Sequence, residues 1–170
     1  MRCKAVLVLA GVLAGCSRNP QFAPLPEQLA AVEAPDPPPR PCFAAMSEPR
    51  VKDFIVNDIS GSGWKRWTAA RPTVRCTLPR DGQWLAAFDF EVAEATLRDT
   101  GPITLTFEVN GQQVGSLRCD HAAGYQFRAP VPKGLGPTLT LTAIVDKPWV
   151  SPGDGAPLGV LLTAAGFLQE

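Results

Sequence analysis

The feature that most constrains this chain is a strict alternation of apolar and polar residues from Ile103 to Val109, followed directly by Asn110-Gly111. Successive side chains of a β-strand point to opposite faces, so the alternation predicts a strand with one buried and one exposed face. Asn-Gly tolerates the positive φ angles that a type I′ turn requires. The sequence therefore predicts a β-hairpin whose second strand covers residues 112–118.

Similar alternation recurs through the rest of the chain after Pro49. It predicts further strands at residues 54–59, 73–78, 84–93, 125–129, 138–145 and 159–168. No segment longer than about ten residues shows the 3.6-residue period of an amphipathic helix. About eight short strands separated by turn signals are typical of a sandwich. We therefore expect an all-β fold, a two-sheet antiparallel jelly-roll sandwich.

The first sixteen residues combine a basic start with a short apolar run that ends in the small-residue sequence Leu13-Ala14-Gly15-Cys16, and the run is too short to span a bilayer. In these features they resemble the signal sequence of bacterial lipoproteins. The resemblance implies that residues 1–15 are a signal peptide and that acyl chains on Cys16 anchor the protein to a membrane. In a bacterium with two membranes it implies the outer one, because Ser17 stands where an Asp would retain the protein in the inner membrane.

A proline-rich stretch separates this segment from the predicted strands. The segment from Asn19 to Pro49, both included, contains nine prolines and few β-branched or aromatic residues. Such a composition buries too little apolar surface to form a core. We therefore expect residues 16–50 to comprise the lipid-attachment Cys and a disordered linker, and residues 51–170 to form the sandwich. Alternatively, the run at residues 35–41 is a docking ligand for an aromatic groove.

Charge and reactive side chains exclude several classes of function. Sixteen acidic and sixteen basic residues give a formal net charge of +0, so no basic surface for nucleic acid is expected. The run Cys119-Asp120-His121 lacks a third group to orient a nucleophile and a base, and we expect His121 to be exposed at a hairpin end. Asp89 and Glu91 share one strand face, which we expect to be the solvent face. No Asp-x-Asp-x-Asp spacing indicates Ca²⁺. We expect neither enzymatic activity nor a cofactor or metal.

Several short motifs follow one another in a recognisable order. They are Trp64-Lys65-Arg66-Trp67-Thr68, Val109-Asn110-Gly111-Gln112, Phe127-Arg128-Ala129-Pro130-Val131-Pro132 and Trp149-Val150-Ser151-Pro152. In this order they resemble galactose-binding-like jelly-roll modules, which often accompany bacterial glycosyltransferases and other surface-polysaccharide proteins. The resemblance covers about residues 58–168. It departs where those modules commonly read Asp-x-Arg-x-Leu-Gly, because Ala156 occupies the Arg position.

Three tryptophans and one aspartate are the candidate ligand-binding residues. Trp64, Trp67, Trp149 and Asp154 fall in predicted loops that contain glycine. An indole offers a flat apolar face to a sugar ring, and flanking polar groups bind its hydroxyls. Binding residues often lie in loops at one rim of a sandwich. The alternatives are that the indoles plug an open end of the core and that Asp154 caps a turn or joins a Ca²⁺ site.

Three cysteines remain once the signal peptide and lipid attachment are accounted for, namely Cys42, Cys76 and Cys119. In an oxidising compartment two of them are expected to pair. The sequence leaves all three pairings open, together with buried thiols and no bridge. A bridge from Cys42 would tie the linker to the domain.

Taken together, these patterns predict a non-catalytic, membrane-anchored lipoprotein of the bacterial cell envelope that faces the periplasm or the cell surface. The first hypothesis for its function is carbohydrate binding, with surface polysaccharide as ligand. The alternative is a structural adaptor that binds another envelope protein through a sheet face.

Overall fold

A computed structural model of the protein describes residues 42–79 and 82–170. Its strands are β1 Cys42–Ala45, β2 Ile55–Ser60, β3 Arg66–Thr77, β4 Trp84–Glu91, β5 Ile103–Val109, β6 Gln112–Cys119, β7 Gly124–Pro130, β8 Thr138–Val145, β9 Trp149–Val150, β10 Pro157–Leu158 and β11 Leu161–Gln169. A 3₁₀ helix at Pro49–Asp53 and the helix α1 at Glu94–Thr100 complete the described elements. No helix among the described residues is long and apolar enough to cross a membrane. The predicted all-β class is confirmed.

Nine strands form one antiparallel, hydrogen-bonded sheet, in which seven follow the order β6-β5-β8-β3-β11-β4-β7, β2 lies beside β3 and β1 lies beside β11. The long strand β3 joins the two halves of this sheet, because its start pairs with β11 and its end with β8. The halves pack face to face. Phe107 of β5 stacks on Phe127 of β7 and lies 5.5 Å, centroid to centroid, from Phe88 of β4. The result is a two-layer sandwich with an aromatic core.

The alternation in β5 gives the strand one buried face, as the sequence predicts. Its four apolar side chains, Ile103, Leu105, Phe107 and Val109, are completely buried. Asn110 and Gly111 adopt φ angles of 50° and 80°, and Val109 pairs with Gln112 across the turn. The predicted hairpin is therefore confirmed, together with its two-residue turn.

The sandwich includes Cys42–Ala45, so the predicted boundary between residues 50 and 51 is wrong. Strand β1 pairs with β11 in a register that places Cys42 opposite Phe167, and a disulfide joins Cys42 to Cys76. Met46 and Val51 are buried in the core. A four-residue strand directly after a proline run is too short to show alternation, which explains the error. The predicted signal peptide, Cys16 and the linker as far as residue 41 lie outside the described residues.

Helix α1 has no counterpart among the predicted elements. It spans seven residues, with only Thr96 buried, and is followed by Gly101, which has a φ of 70°. Two helical turns with one buried residue give no periodic pattern to detect. The helix nevertheless matters for the site, because it places Asp99 at one end of the sandwich.

The antiparallel register assigns the connecting loops to two opposite ends of the sandwich, because Trp84 pairs with Gln169 at one end and Glu91 with Leu161 at the other. What we call the tryptophan end comprises the segments 61–65, 92–102, 120–123 and 146–160. What we call the cleft end comprises the described residues of the segments 78–83, 110–111 and 131–137, together with the end of β11.

Candidate functional site

Two of the predicted site residues, Trp67 and Trp149, meet as an aromatic pair at the tryptophan end. Their ring centroids are 6.3 Å apart and their planes differ by 30°. Trp67 lies in β3 opposite Leu161, and Trp149 lies in β9 opposite Leu158. Both rings are half-buried. Each ring is therefore positioned by a strand, Trp67 by β3 and Trp149 by β9.

This placement corrects the prediction that Trp67 and Trp149 lie in loops. Strand β3 begins at Arg66, well before the predicted start at residue 73, because the intervening residues do not alternate regularly. Strands β9 and β10 contain two residues each, too few for any sequence pattern to show. The two indoles thus lie on strand residues next to the loops of the tryptophan end.

A carboxylate on α1 fixes the orientation of Trp149. The Nε1 of Trp149 donates a hydrogen bond to Oδ2 of Asp99 over 2.8 Å. The guanidinium of Arg98 donates to the same carboxylate, with Nε 2.8 Å from Oδ1. Hydrogen bonds from Arg98 and then from Trp149 hold the pKa of Asp99 below its usual value. Asp99 was not among the candidate residues, because no sequence pattern indicated α1.

Trp64 differs from the pair in being largely open to solvent. Trp64 is 63% exposed and lies in a loop in which Gly61 and Gly63 have positive φ angles. The ammonium of Lys65 lies 4.1 Å from the Trp64 ring centroid and also forms an ion pair with Glu91. Such exposure rules out the alternative that Trp64 plugs the core.

Two of the three large exposed hydrophobic residues in the described part of the chain are close to this pair in sequence. Among the described residues, the large hydrophobic residues that are exposed are Val56 at 44%, Trp64 at 63% and Val150 at 60%. Trp64 precedes Trp67 by three residues, and Val150 follows Trp149 directly. Exposed apolar surface of this kind, bordered by polar groups, is characteristic of binding sites. The tryptophan end is therefore the candidate functional site.

Asp154 stabilises the loop between β9 and β10. Its Oδ1 accepts a hydrogen bond from the backbone N–H of Ala156 over 3.1 Å. That bond, followed by one from the Ser151 side chain, holds the pKa of Asp154 below its usual value. The structure thus shows the turn-capping arrangement among the alternatives for Asp154. Within residues 42–79 and 82–170 no group of three or more His, Cys, Asp or Glu side chains is placed to hold a metal ion.

In the Cys119-Asp120-His121 run, the cysteine is buried and the histidine is exposed. Cys119 is a free, completely buried thiol, and burial, with smaller contributions from the charges of Asp120 and Asp146, raises its pKa to about 11. A nucleophilic cysteine needs a lowered pKa instead. His121 is exposed, as predicted, and lies 2.7 Å from the carboxylate of Asp120.

The two carboxylates of β4 are each paired with a cation. Asp89 forms an ion pair with Arg128, and Glu91 with Lys65. Both point away from the buried Phe88 and Phe90, as the alternation predicts. Their role is therefore to pair neighbouring segments on the outer face of the sheet.

Comparison with known proteins identifies the fold. No protein-family model matches the chain, and no curated protein matches it. The CBM22-1 xylan-binding domain of Paenibacillus barcinonensis Xyn10C is 12% identical, with 75% of this chain and 92% of that chain covered and a TM-score of 0.51. A family 35 carbohydrate binding module from Clostridium thermocellum is also 12% identical, covering 75% and 98% with a TM-score of 0.46. At 12% identity, the likeness to the xylan-binding domain establishes the β-sandwich fold alone.

Proposed function

We propose that this protein is a non-catalytic lipoprotein of the bacterial envelope whose tryptophan end binds polysaccharide. The observation that carries the proposal is the exposure of Trp64 and Val150 beside the Trp67–Trp149 pair. A pyranose ring has apolar CH faces, and an exposed indole offers them contact area at little conformational cost. The xylan-binding description of the Paenibacillus domain, which has the same fold, supports a glycan as the ligand class.

Two cations of the tryptophan end are paired with carboxylates, and this pairing favours a neutral glycan. Lys65 is paired with Glu91, and Arg98 is paired with Asp99. An anionic polysaccharide would have to compete with these carboxylates for the cations. A neutral chain can instead use the paired groups as hydrogen-bond donors and acceptors for its hydroxyls, while the indoles contact its rings.

We further propose that the chain is anchored through acyl groups on Cys16 and faces the periplasm or the cell surface from the outer membrane. The lipobox-like sequence at residues 13–16 and Ser17 support this location. Stable anchoring needs more than one acyl chain, which lipoprotein processing supplies. The resemblance to modules that accompany glycosyltransferases supports surface polysaccharide as the ligand. In cells fed a palmitate analogue, Cys16→Ala should incorporate no label, and undiminished labelling would contradict the anchor.

The binding proposal is tested by titrating the protein with neutral polysaccharides, xylan among them. We expect Trp64→Ala to weaken binding by about tenfold, the size of one lost favourable ring contact. Val56→Ala is the matched control, because Val56 is also exposed but belongs to β2. If the wild-type protein binds no polysaccharide in the panel, the proposal fails. The adaptor function then becomes the hypothesis to pursue, by crosslinking the sheet faces to envelope proteins.

A further inference from the structure

Trp64 is connected to the outer face of β4 by a shared cation. The ammonium of Lys65 lies 4.1 Å from the centroid of the Trp64 ring and also pairs with the carboxylate of Glu91. Glu91 is the last residue of β4, and its side chain is 33% exposed. Gly124 lies opposite Glu91 on β7 and has no side chain to cover the carboxylate. The exposed indole therefore adjoins an open, polar part of the sheet.

The same arrangement occurs again two residues earlier on β4. Asp89 pairs with Arg128 of β7, and the guanidinium of Arg128 lies 5.6 Å from the centroid of the Phe43 ring. Asp89 and Glu91 lie on one face of β4, because successive side chains of a strand alternate between its two faces. One strand face thus carries two arrangements of an aromatic ring, a cation and a carboxylate.

The burial of Ala87 places the second arrangement over β4. Ala87 points to the same outer face as Asp89, yet it is completely buried. In the register of the sheet it lies between Gly166 of β11 and Arg128 of β7, with Phe43 of β1 beyond the glycine. Gly166 has no side chain, so the half-buried ring of Phe43 reaches Arg128 across it. These two side chains therefore cover Ala87.

The two rings are too far apart to contact one sugar unit together. They flank the stretch of β4 from Ala87 to Glu91, and four residues of a strand rise about 13 Å. A monosaccharide is shorter than this distance, whereas a linear oligosaccharide can contact both rings. Between the rings lie the ion pair of Asp89 with Arg128 and the exposed amide of Gln126, which is opposite Asp89 on β7. These groups provide donors and acceptors for sugar hydroxyls.

We propose that the glycan site of the tryptophan end continues along the outer face of β4 and binds a linear neutral chain over several of its units. One unit contacts Trp64, and another contacts Phe43. The hydroxyls of the units between them hydrogen-bond to Asp89, Glu91 and Arg128. Each cation on this face is already paired with a carboxylate, which favours a chain without charge. This inference rests on the proposed function, because both depend on Trp64.

The first test compares ligand lengths by calorimetry on the full chain. The probes are xylohexaose, cellohexaose and mannohexaose, each with the corresponding disaccharide as its short control. We expect a hexasaccharide to bind about tenfold more tightly than its disaccharide, because only the longer chain reaches both rings. Equal affinities would overturn the extended site and leave the proposed function standing. Binding of no probe would overturn the extended site, and the polysaccharide titration above decides the proposed function separately.

A pair of matched variants tests the second ring. Phe43→Leu keeps an apolar side chain over Ala87 and removes the flat ring, so the hexasaccharide affinity should fall about tenfold while the disaccharide affinity stays unchanged. Phe54→Leu is the control, because Phe54 is also half-buried, with the guanidinium of Arg50 5.9 Å from its ring centroid, but lies directly before β2. Wild-type hexasaccharide affinity in Phe43→Leu, or an equal loss in Phe54→Leu, would overturn the proposal.

NMR shift mapping of the wild-type chain gives a reading that does not depend on the stability of the variants. The hexasaccharide should shift the indole N–H signal of Trp64 together with the backbone amides of Asp89 and Arg128. The disaccharide should shift the Trp64 signal without those two amides. If the hexasaccharide shifts only signals from the loops of the tryptophan end, the ligand stops there and the extended site is wrong.

Discussion

The two ends of this sandwich use tryptophan in opposite ways. At the tryptophan end, Trp64 is 63% exposed and Trp149 has its N–H paired with Asp99. At the cleft end, Trp84 is 9% exposed and its N–H is unpaired. One end exposes apolar surface and pairs its polar groups, and the other buries its indole. An indole therefore marks a candidate binding surface by the exposure of its ring, not by its presence alone.

The ends are also held together differently. The cleft end is braced by the Cys42–Cys76 disulfide and by β1 against β11. The tryptophan end is braced by the side-chain contact between Asp99 and Trp149 and by the two-residue ladder of β9 and β10. The disulfide and the β1–β11 pairing at the cleft end should contribute far more to the free energy of unfolding than the exposed contacts at the tryptophan end. Truncations and substitutions at either end can test this difference in stability.

The largest effect is expected from removing the bracing of the cleft end. A chain that starts at Phe54 lacks β1, the buried Met46 and Val51, and the disulfide. Removing a disulfide alone typically costs about 2 to 5 kcal/mol, a large part of the stability of a small domain. We expect this chain to lose cooperative thermal unfolding in circular dichroism.

The matched control for this deletion is a chain that starts at Pro41, which keeps every described element. It should melt like the full chain, because the proline-rich segment before it has too few apolar residues to supply a core. Coincident melting of the chain that starts at Phe54 would show that β1 contributes little.

An intermediate effect should come from exchanging single indoles. We expect Trp84→Ala to lower the free energy of unfolding by about 3 to 5 kcal/mol, as truncation of a buried Trp does. Trp64→Ala should change it by no more than about 0.5 kcal/mol, because the ring is exposed. Urea titrations followed by circular dichroism measure both. Equal losses at the two positions would remove the structural contrast between the ends.

The sequence was sufficient for the parts of this fold in which many residues repeat one pattern. The strands β5 and β8 follow from alternation because each has one buried face, and the Asn110-Gly111 turn adds β6 as the second strand of the hairpin. Alternation was uninformative for β1, β9 and β10, which are too short to repeat it. Their positions depend on pairing with distant strands, which is a tertiary property.

The candidate site was only partly predictable for the same reason. Aromatic composition and glycine-containing loops identified Trp64, Trp67 and Trp149 as candidates, but nothing local predicts that Trp67 and Trp149 stack. The contact of Asp99 with Trp149 joins residues fifty positions apart through an unpredicted helix. The choice of Cys42 and Cys76 among three possible pairings likewise depends on where β1 docks.

The smallest effect concerns the contact of Asp99 with Trp149. The folded pKa of Asp99 lies below its usual 3.8, so the charged contact contributes fully above pH 3.8 and is lost as the pH falls through the lowered pKa. We expect the Trp149 indole N–H signal to move in this acidic window and Asp99→Asn, which cannot ionise, to abolish the movement. Asp154→Asn is the control, because Asp154 also has a lowered pKa but bonds to Ala156. If the signal of Asp99→Asn titrates like wild type, a different carboxylate orients the indole pair.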